Sequence, residues 1–163
     1  CHLLEQGRTL PGFIGDISYA QSNRERYEGF CQALADAGKK VDSSLCLTTP
    51  LGIDTYREEI DTFLSSLSRM PDAFVCASDY VACILMQLLE KRGLRVPEDV
   101  AVSGFDNNTE DLLAEHLTTV QVFNEELGAR LALQILYRIK YPNTPHEITY
   151  LGTNVLYRDS TGD

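Results

Sequence analysis

The feature that most restricts the fold of this chain is an alternation of short apolar runs with longer stretches of helical period. The apolar runs are Phe13-Ile-Gly, Leu45-Cys-Leu-Thr, Ala73 to Ala77, Val100-Ala-Val-Ser and Thr118 to Val122. Between them, Tyr27, Phe30, Cys31 and Leu34 recur at helical spacing, and so do Tyr56, Ile60, Phe63, Leu64 and Leu67. The segment from Tyr80 to Arg92 is strongly apolar. A strand that is apolar on both sides needs cover on both faces, and a helix after each strand supplies it. The expected fold class is α/β: a three-layer α/β/α, Rossmann-like lobe around a parallel sheet, with right-handed crossovers.

Punctuation residues divide these elements. Gly7 closes a first helix from His2 to Gln6, and the strand after it ends at Asp16. Ser22 with Glu25 three residues on has the spacing of a capping box, and Gly38 ends that helix. Asp54 is expected to cap the next helix and Pro71 to break it; Gly93 stops the third, and Pro97-Glu-Asp turns the chain into Val100. The rhythm then changes. Asn124 to Lys140 reads as one long helix with Leu127, Leu131, Ile135 and Ile139 on a single stripe. After Pro142-Asn-Thr-Pro, residues Ile148 to Tyr157 read as extended chain with a kink at Gly152.

Composition narrows the function classes. The 163 residues, 44% hydrophobic and 23% charged, suit one globular domain or slightly more. No run reaches the roughly 18 apolar residues of a membrane span, and the start has no basic stretch leading into an apolar one. The net charge is −10 and the Lys and Arg residues are scattered, which argues against direct contact with nucleic acid. Five cysteines, at 1, 31, 46, 76 and 83, include no Cys-x-x-Cys and most lie in apolar runs, so they read as core thiols of a reducing cytosol. His2, His116 and His146 have no ligand-like spacing; no metal site and no cofactor are expected.

In an open α/β sheet, ligands bind beyond the carboxyl ends of the strands. That rule selects Asp16, Thr48 and Thr49, Ser78 and Asp79, and Phe105, Asp106 and Asn107, with Arg24 and Arg26 following the loop from Ile17 to Asn23. Carboxylates accept hydroxyls, guanidinium groups donate to them, and an aromatic face covers the apolar side of a sugar ring. The set suits a polyhydroxylated small molecule. The ligand-binding candidates are Arg26, Asp106, Ser78, Phe105 and Asp16, although Ser78 or Asp79 is also placed to cap the helix that follows.

These residues resemble the lactose-repressor and galactose-repressor family of bacterial transcription regulators. The resemblance runs through Phe13-Ile-Gly, Ser22-Asn-Arg-Glu-Arg-Tyr-Glu-Gly-Phe, Phe74-Val-Cys-Ala-Ser-Asp, and Gly93-Leu-Arg-Val-Pro-Glu-Asp-Val-Ala-Val-Ser-Gly-Phe-Asp. It continues in Leu117-Thr-Thr-Val, Glu126-Leu-Gly and Arg158-Asp-Ser-Thr. It implies a type I periplasmic-binding-protein-like fold, in which two lobes close on an effector. By motif, Arg26 matches the pocket arginine and Asp106 the pocket aspartate. Ser78 stands where the family often has asparagine, and Gln121 and Val122 stand where it has Arg or His and then Gln.

The same resemblance implies a domain plan. Residues 1–122 form the C-terminal lobe, mostly complete; 123–145 carry a helix of the N-terminal lobe; 146–163 return to the C-terminal lobe. A DNA-binding headpiece would precede Cys1 and make the only DNA contact. The expected function is a cytoplasmic effector-binding and dimerisation domain, not an enzyme, with the helix from Tyr80 to Arg92 at the homodimer interface and no membrane contact. The effector is expected to be a sugar, and nucleobases or nucleosides are the other class the family senses. Two alternatives stand beside this: an extracytoplasmic sugar-binding protein of a transporter, and a metal-dependent enzyme using Asp16, Asp79 or Asp106. No Gly-rich phosphate loop or nucleophile elbow supports the latter.

Overall fold

The computed structural model describes residues 1–52, 54–107 and 112–162. A short helix α1 (His2–Glu5) leads into strand β1 (Pro11–Ile14), helix α2 (Gln21–Asp36) and strand β2 (Cys46–Leu47). Then follow α3 (Tyr56–Ser66), β3 (Ala73–Cys76), α4 (Asp79–Lys91) and β4 (Ala101–Ser103). The four strands are parallel and lie in the order β2-β1-β3-β4. β5 (Thr119–Gln121) pairs antiparallel with β6 (Asn154–Leu156), and α5 (Asn124–Lys140) lies between them in sequence.

The second sheet continues the first. Parallel bridges join Ser103 to Thr118 and Asp106 to Gln121. The Gly104 N–H donates to the Thr118 carbonyl at 2.8 Å and the Asp106 N–H to the Val120 carbonyl at 3.0 Å. The expected parallel array therefore extends through β5. Only β6 departs from it, as an antiparallel edge strand of the kind parallel sheets often carry.

Strand alternation sorts the core onto two faces. Ile14, Phe74, Cys76 and Val102 pack with Ile60 and Leu64 of α3 and with Val81, Leu85, Leu88 and Leu89 of α4. Phe13, Val75 and Ala77 face the other way, against Tyr27, Phe30 and Leu34 of α2. α4 is the most enclosed helix, with every residue from Val81 to Met86 buried. A buried leucine of this kind contributes about 1.5–3 kcal/mol relative to exposure, so α4 is a principal source of stability.

Three boundary expectations are corrected. Ser22 is exposed and caps nothing: α2 starts at Gln21 with Ala20 in the cap position, and Glu25 receives the Gln21 amide at 3.2 Å. The loop before α2 is already ordered by Asp16, which leaves the capping box no end to close. Asp54 is not a cap either. α3 begins at Tyr56 after Thr55, whose hydroxyl bonds the Glu59 carboxylate. Within the extended stretch from Ile148 to Tyr157, only Asn154–Leu156 forms a strand. The polar loop after Asn107 lies partly, at 108–111, outside the described residues.

α5 differs from the other long helices in having no buried residue. Leu127, Leu131, Ile135 and Ile139 are all about half exposed or more, and Leu133 and Leu136 join them.

Candidate functional site

The site forms where the loops after β1, β3 and β4 meet. At Gly15, a Cβ would stand 2.2 Å from the Ala77 Cβ, so glycine lets β1 and β3 approach closely at their carboxyl ends. Asp16 follows. Its Oδ1 accepts the Ser18 N–H at 2.7 Å, the Ser18 hydroxyl at 2.6 Å and the Tyr19 N–H at 3.1 Å; its Oδ2 accepts the Leu51 N–H at 3.3 Å. Burial pushes this carboxyl up, but the Ser18, Leu51 and Tyr19 hydrogen bonds outweigh it and hold the group below the ordinary carboxylate range. Asp16 thus spends its acceptors on ordering its own loop and the loop after β2.

α2 brings Arg26 over the end of β3. The Nη1 donates to the Ala77 carbonyl at 2.5 Å and to the Asn23 Oδ1 at 3.4 Å, while the Asn23 amide donates to the Asp16 carbonyl at 2.9 Å. The Nη2 lies 3.5 Å from the Asp106 Oδ1. The guanidinium carbon stands 3.6 Å from the centroid of the Phe105 ring. The Arg26–Asp106 pair is partly solvated and worth roughly 0.2–1 kcal/mol, and the cation–π contact roughly 0.5–2 kcal/mol. Together with the carbonyl bond they orient the guanidinium.

Ser78 and Asp79 begin α4. The Ser78 hydroxyl accepts the Val81 N–H at 3.4 Å, so the expected cap is present. The Asp79 N–H donates to the Phe105 carbonyl at 2.8 Å, and its buried carboxylate accepts the Thr119 hydroxyl at 2.6 Å. Gly104 permits this approach, because a Cβ there would sit 2.2 Å from the Asp79 Oδ1.

Arg26, Asp106 and Asp79 act on one another at the rim. Burial draws the Arg26 guanidinium below its ordinary value, against the opposing pull of Asp106 and then Asp79. Burial raises the Asp106 carboxyl, Arg26 opposes that rise, and Asp79 adds to it. Arg26 and Asp106, eighty positions apart in sequence, meet at one edge, and Phe105 lies under the guanidinium. Ser78 lies one residue from Ala77, whose carbonyl Arg26 holds, and Asp16 is linked to Arg26 through Asn23.

Asn23, Thr119 and Arg158 were not singled out as site residues from sequence, although each lies within a motif read above. Asn23 and Thr119 support the rim through the bonds just described. Arg158 Nη2 reaches the Asn107 Oδ1 at 2.8 Å. A cavity of about 470 Å³ opens beside Arg26 and Phe105, with Val75, Ser103 and Val120 in its walls. A larger depression of about 830 Å³ lies elsewhere, between α5 and the segment that follows it. It is built on a helix with no buried residue and shares no residue with the rim.

The cysteines form no disulfide among the described residues. Burial pushes the Cys46 thiol up to about 11 and raises Cys76 as well, so both stay protonated at neutral pH. No group of three or more His, Cys, Asp or Glu among the described residues is arranged to hold a metal ion. No helix among them is long and apolar enough to cross a membrane.

Comparison with known proteins places this geometry. Residues 1–161 match the periplasmic binding protein-like domain. The chain is 35% identical over 130 residues to the transcriptional regulator DegA of Bacillus subtilis, covering 78% of this chain and 38% of DegA. A LacI-family transcriptional regulator from Sanguibacter keddieii superposes with a TM-score of 0.85 at 27% identity, over 99% of this chain and 61% of that one. The regulator CelR in complex with cellobiose superposes with a TM-score of 0.86 at 30% identity, over 97% of this chain and 48% of CelR. The chain spans less than half the length of the curated relatives it matches.

Proposed function

We infer that this chain, which belongs to the periplasmic binding protein-like domain family and has LacI-family transcription regulators among its relatives, is the effector-sensing lobe of a bacterial DNA-binding regulator. The observation that carries this reading is the convergence of Arg26, Phe105 and Asp106 at the carboxyl edge of a parallel sheet. The effector is a sugar or a similar polyhydroxylated molecule. Asp106 accepts its hydroxyls, Arg26 donates to them, and Phe105 backs the guanidinium, with Ser78 and Asp16 at the margin. The cellobiose complex of CelR supports this class.

The rest of the assembly follows from the same reading. Residues 1–122 and 146–163 are one wall of a clamshell and 123–145 belong to the other. The absence of any buried residue on α5 supports that division. The protein acts in the cytoplasm as a homodimer in which α4 lies at the interface, and DNA is contacted by a separate headpiece. Effector binding shifts lobe closure, and linkage transmits that shift to DNA affinity.

Calorimetric titration of the full-length regulator with cellobiose, monosaccharides and purines tests the assignment. Arg26→Ala and Asp106→Ala each remove charge-assisted hydrogen bonds worth about 1.5–3 kcal/mol, so affinity for the best ligand should fall roughly 10- to 100-fold. Unchanged affinity in both variants refutes the site.

A further inference from the structure

Asp106 and Asn107 occupy adjacent positions of positive φ, +113° and +53°, and neither is glycine. Asp and Asn enter this region more readily than other side chains, but two such residues in succession still carry strain that the surroundings offset. From the β5 side, the Val120 carbonyl accepts the Asp106 N–H at 3.0 Å and the Thr119 hydroxyl accepts the Asn107 N–H at 3.3 Å. Among the described residues, a further hold comes from the other end of the sequence.

Arg158 supplies it. Its Nη2 donates to the Asn107 Oδ1 at 2.8 Å, and its Nη1 donates to the carbonyls of Ala114 at 3.0 Å and Leu117 at 2.9 Å. One planar guanidinium thereby spans both ends of the loop that leaves Asp106, a task suited to a fork of fixed geometry. The backbone around Arg158 is itself secured. Its N–H donates to the Thr118 hydroxyl at 2.8 Å, and the buried Ser160 hydroxyl donates to the Val102 carbonyl at 2.7 Å while accepting the Thr118 N–H at 2.8 Å.

We propose that Arg158 is a positioning residue for the candidate site: by tying Asn107 to Ala114 and Leu117 it fixes the left-handed pair and keeps the Asp106 carboxylate beside Arg26. The functional weight of this latch rests on the effector reading above; its existence does not. The terminal Arg-Asp-Ser-Thr segment is then part of the recognition apparatus, acting through Asp106 without touching the ligand.

The test is a carboxyl-carbon NMR titration of Asp106 in this chain with no effector added, so its outcome stands whatever the protein binds. Among the described residues, the charged groups that act on Asp106 are Arg26 and Asp79. Freed from its half-buried seat, Asp106 should titrate lower, in the ordinary carboxylate range. Arg158→Ala and Asn107→Gly should both produce this fall, and the double variant should fall no further than the larger single one. Arg158→Lys keeps the charge but loses the fork, and should lie between Arg158→Ala and the native protein. A purely structural Arg158 would lower the melting temperature and leave the Asp106 midpoint in place. Should Arg158→Ala not fold, Asn107→Gly, which removes the 2.8 Å side-chain bond and accepts φ +53° without strain, carries the test alone. Unchanged Asp106 midpoints in the folded variants overturn the proposal.

Discussion

Gly104→Ala probes how closely β4 and α4 must approach to build the rim. The added Cβ would lie 2.2 Å from the Asp79 Oδ1, 2.9 Å from the Leu117 Cδ2 and 3.1 Å from the Asp79 Cα. Retreat is costly. Asp79 is buried, its Oδ1 receives the Thr119 hydroxyl at 2.6 Å, and its Cα belongs to the first turn of the enclosed helix α4. Overpacking of this kind costs about 1–3 kcal/mol, and disrupting a hydrogen bond to a buried carboxylate adds about 1–3 kcal/mol. For a chain of this length each kcal/mol lowers the melting temperature by roughly 2–4 °C, so the expected drop is on the order of 4–24 °C. Circular dichroism melts measure it directly. Gly93→Ala serves as the control: it has φ +73° and nothing within 4 Å of its Cβ, so only backbone strain of about 1–2 kcal/mol applies. A Gly104→Ala melting temperature within about 2 °C of native, or a drop smaller than that of Gly93→Ala, would refute the close-approach argument.

Two further outcomes are expected besides the titrations already described. Asp99 accepts the Arg95 side chain at 2.9 Å and 2.8 Å and the Arg95 N–H at 2.8 Å, and these bonds lower its carboxyl to about 2. A depressed carboxyl contributes stability above its unfolded value near 3.9, and that contribution disappears as pH falls toward about 2. Asp99→Asn should therefore flatten the loss of stability between about pH 4 and pH 2, as read from urea midpoints; an unchanged acid branch would exclude the Arg95–Asp99 bonds as a cause. The exposed stripe of α5 should make the isolated chain self-associate, with the apparent mass in light scattering rising with concentration. The double variant Leu131→Lys, Ile135→Lys should shift it toward monomer, and a native chain that is already monomeric at high concentration would contradict the idea.

Much of the architecture was legible from local pattern. Apolar runs separated by helical periods mark β1, β3, β4 and β5 to within a few residues, and the α4 segment reads as a buried helix because it is apolar on nearly every side. Gly38 and Gly93, at φ +68° and +73°, end their helices where expected. Errors gathered where two local signals competed. The Ser22–Glu25 spacing is a real capping pattern, but the Asp16 loop had already determined where α2 begins. The terminal stretch was apolar enough to be extended throughout, yet only the three residues opposite β5 found a pairing partner.

The candidate site divides in the same way. Position at a strand's carboxyl end is a property of the chain read in order, so sequence alone was enough to nominate Arg26, Ser78, Phe105, Asp106 and Asp16. Which acceptors remain open depends on what residues distant in sequence bring to them. Asp16 gives one oxygen to Leu51, Asp79 is enclosed by Thr119 and Gly104, and Asn107 is held by Arg158. Periodicity and turn chemistry are set by near neighbours and survive in the sequence. Burial, charge pairing and the left-handed bend at Asp106 come into being only when distant segments close on one another, and for that reason tertiary structure alone decided them.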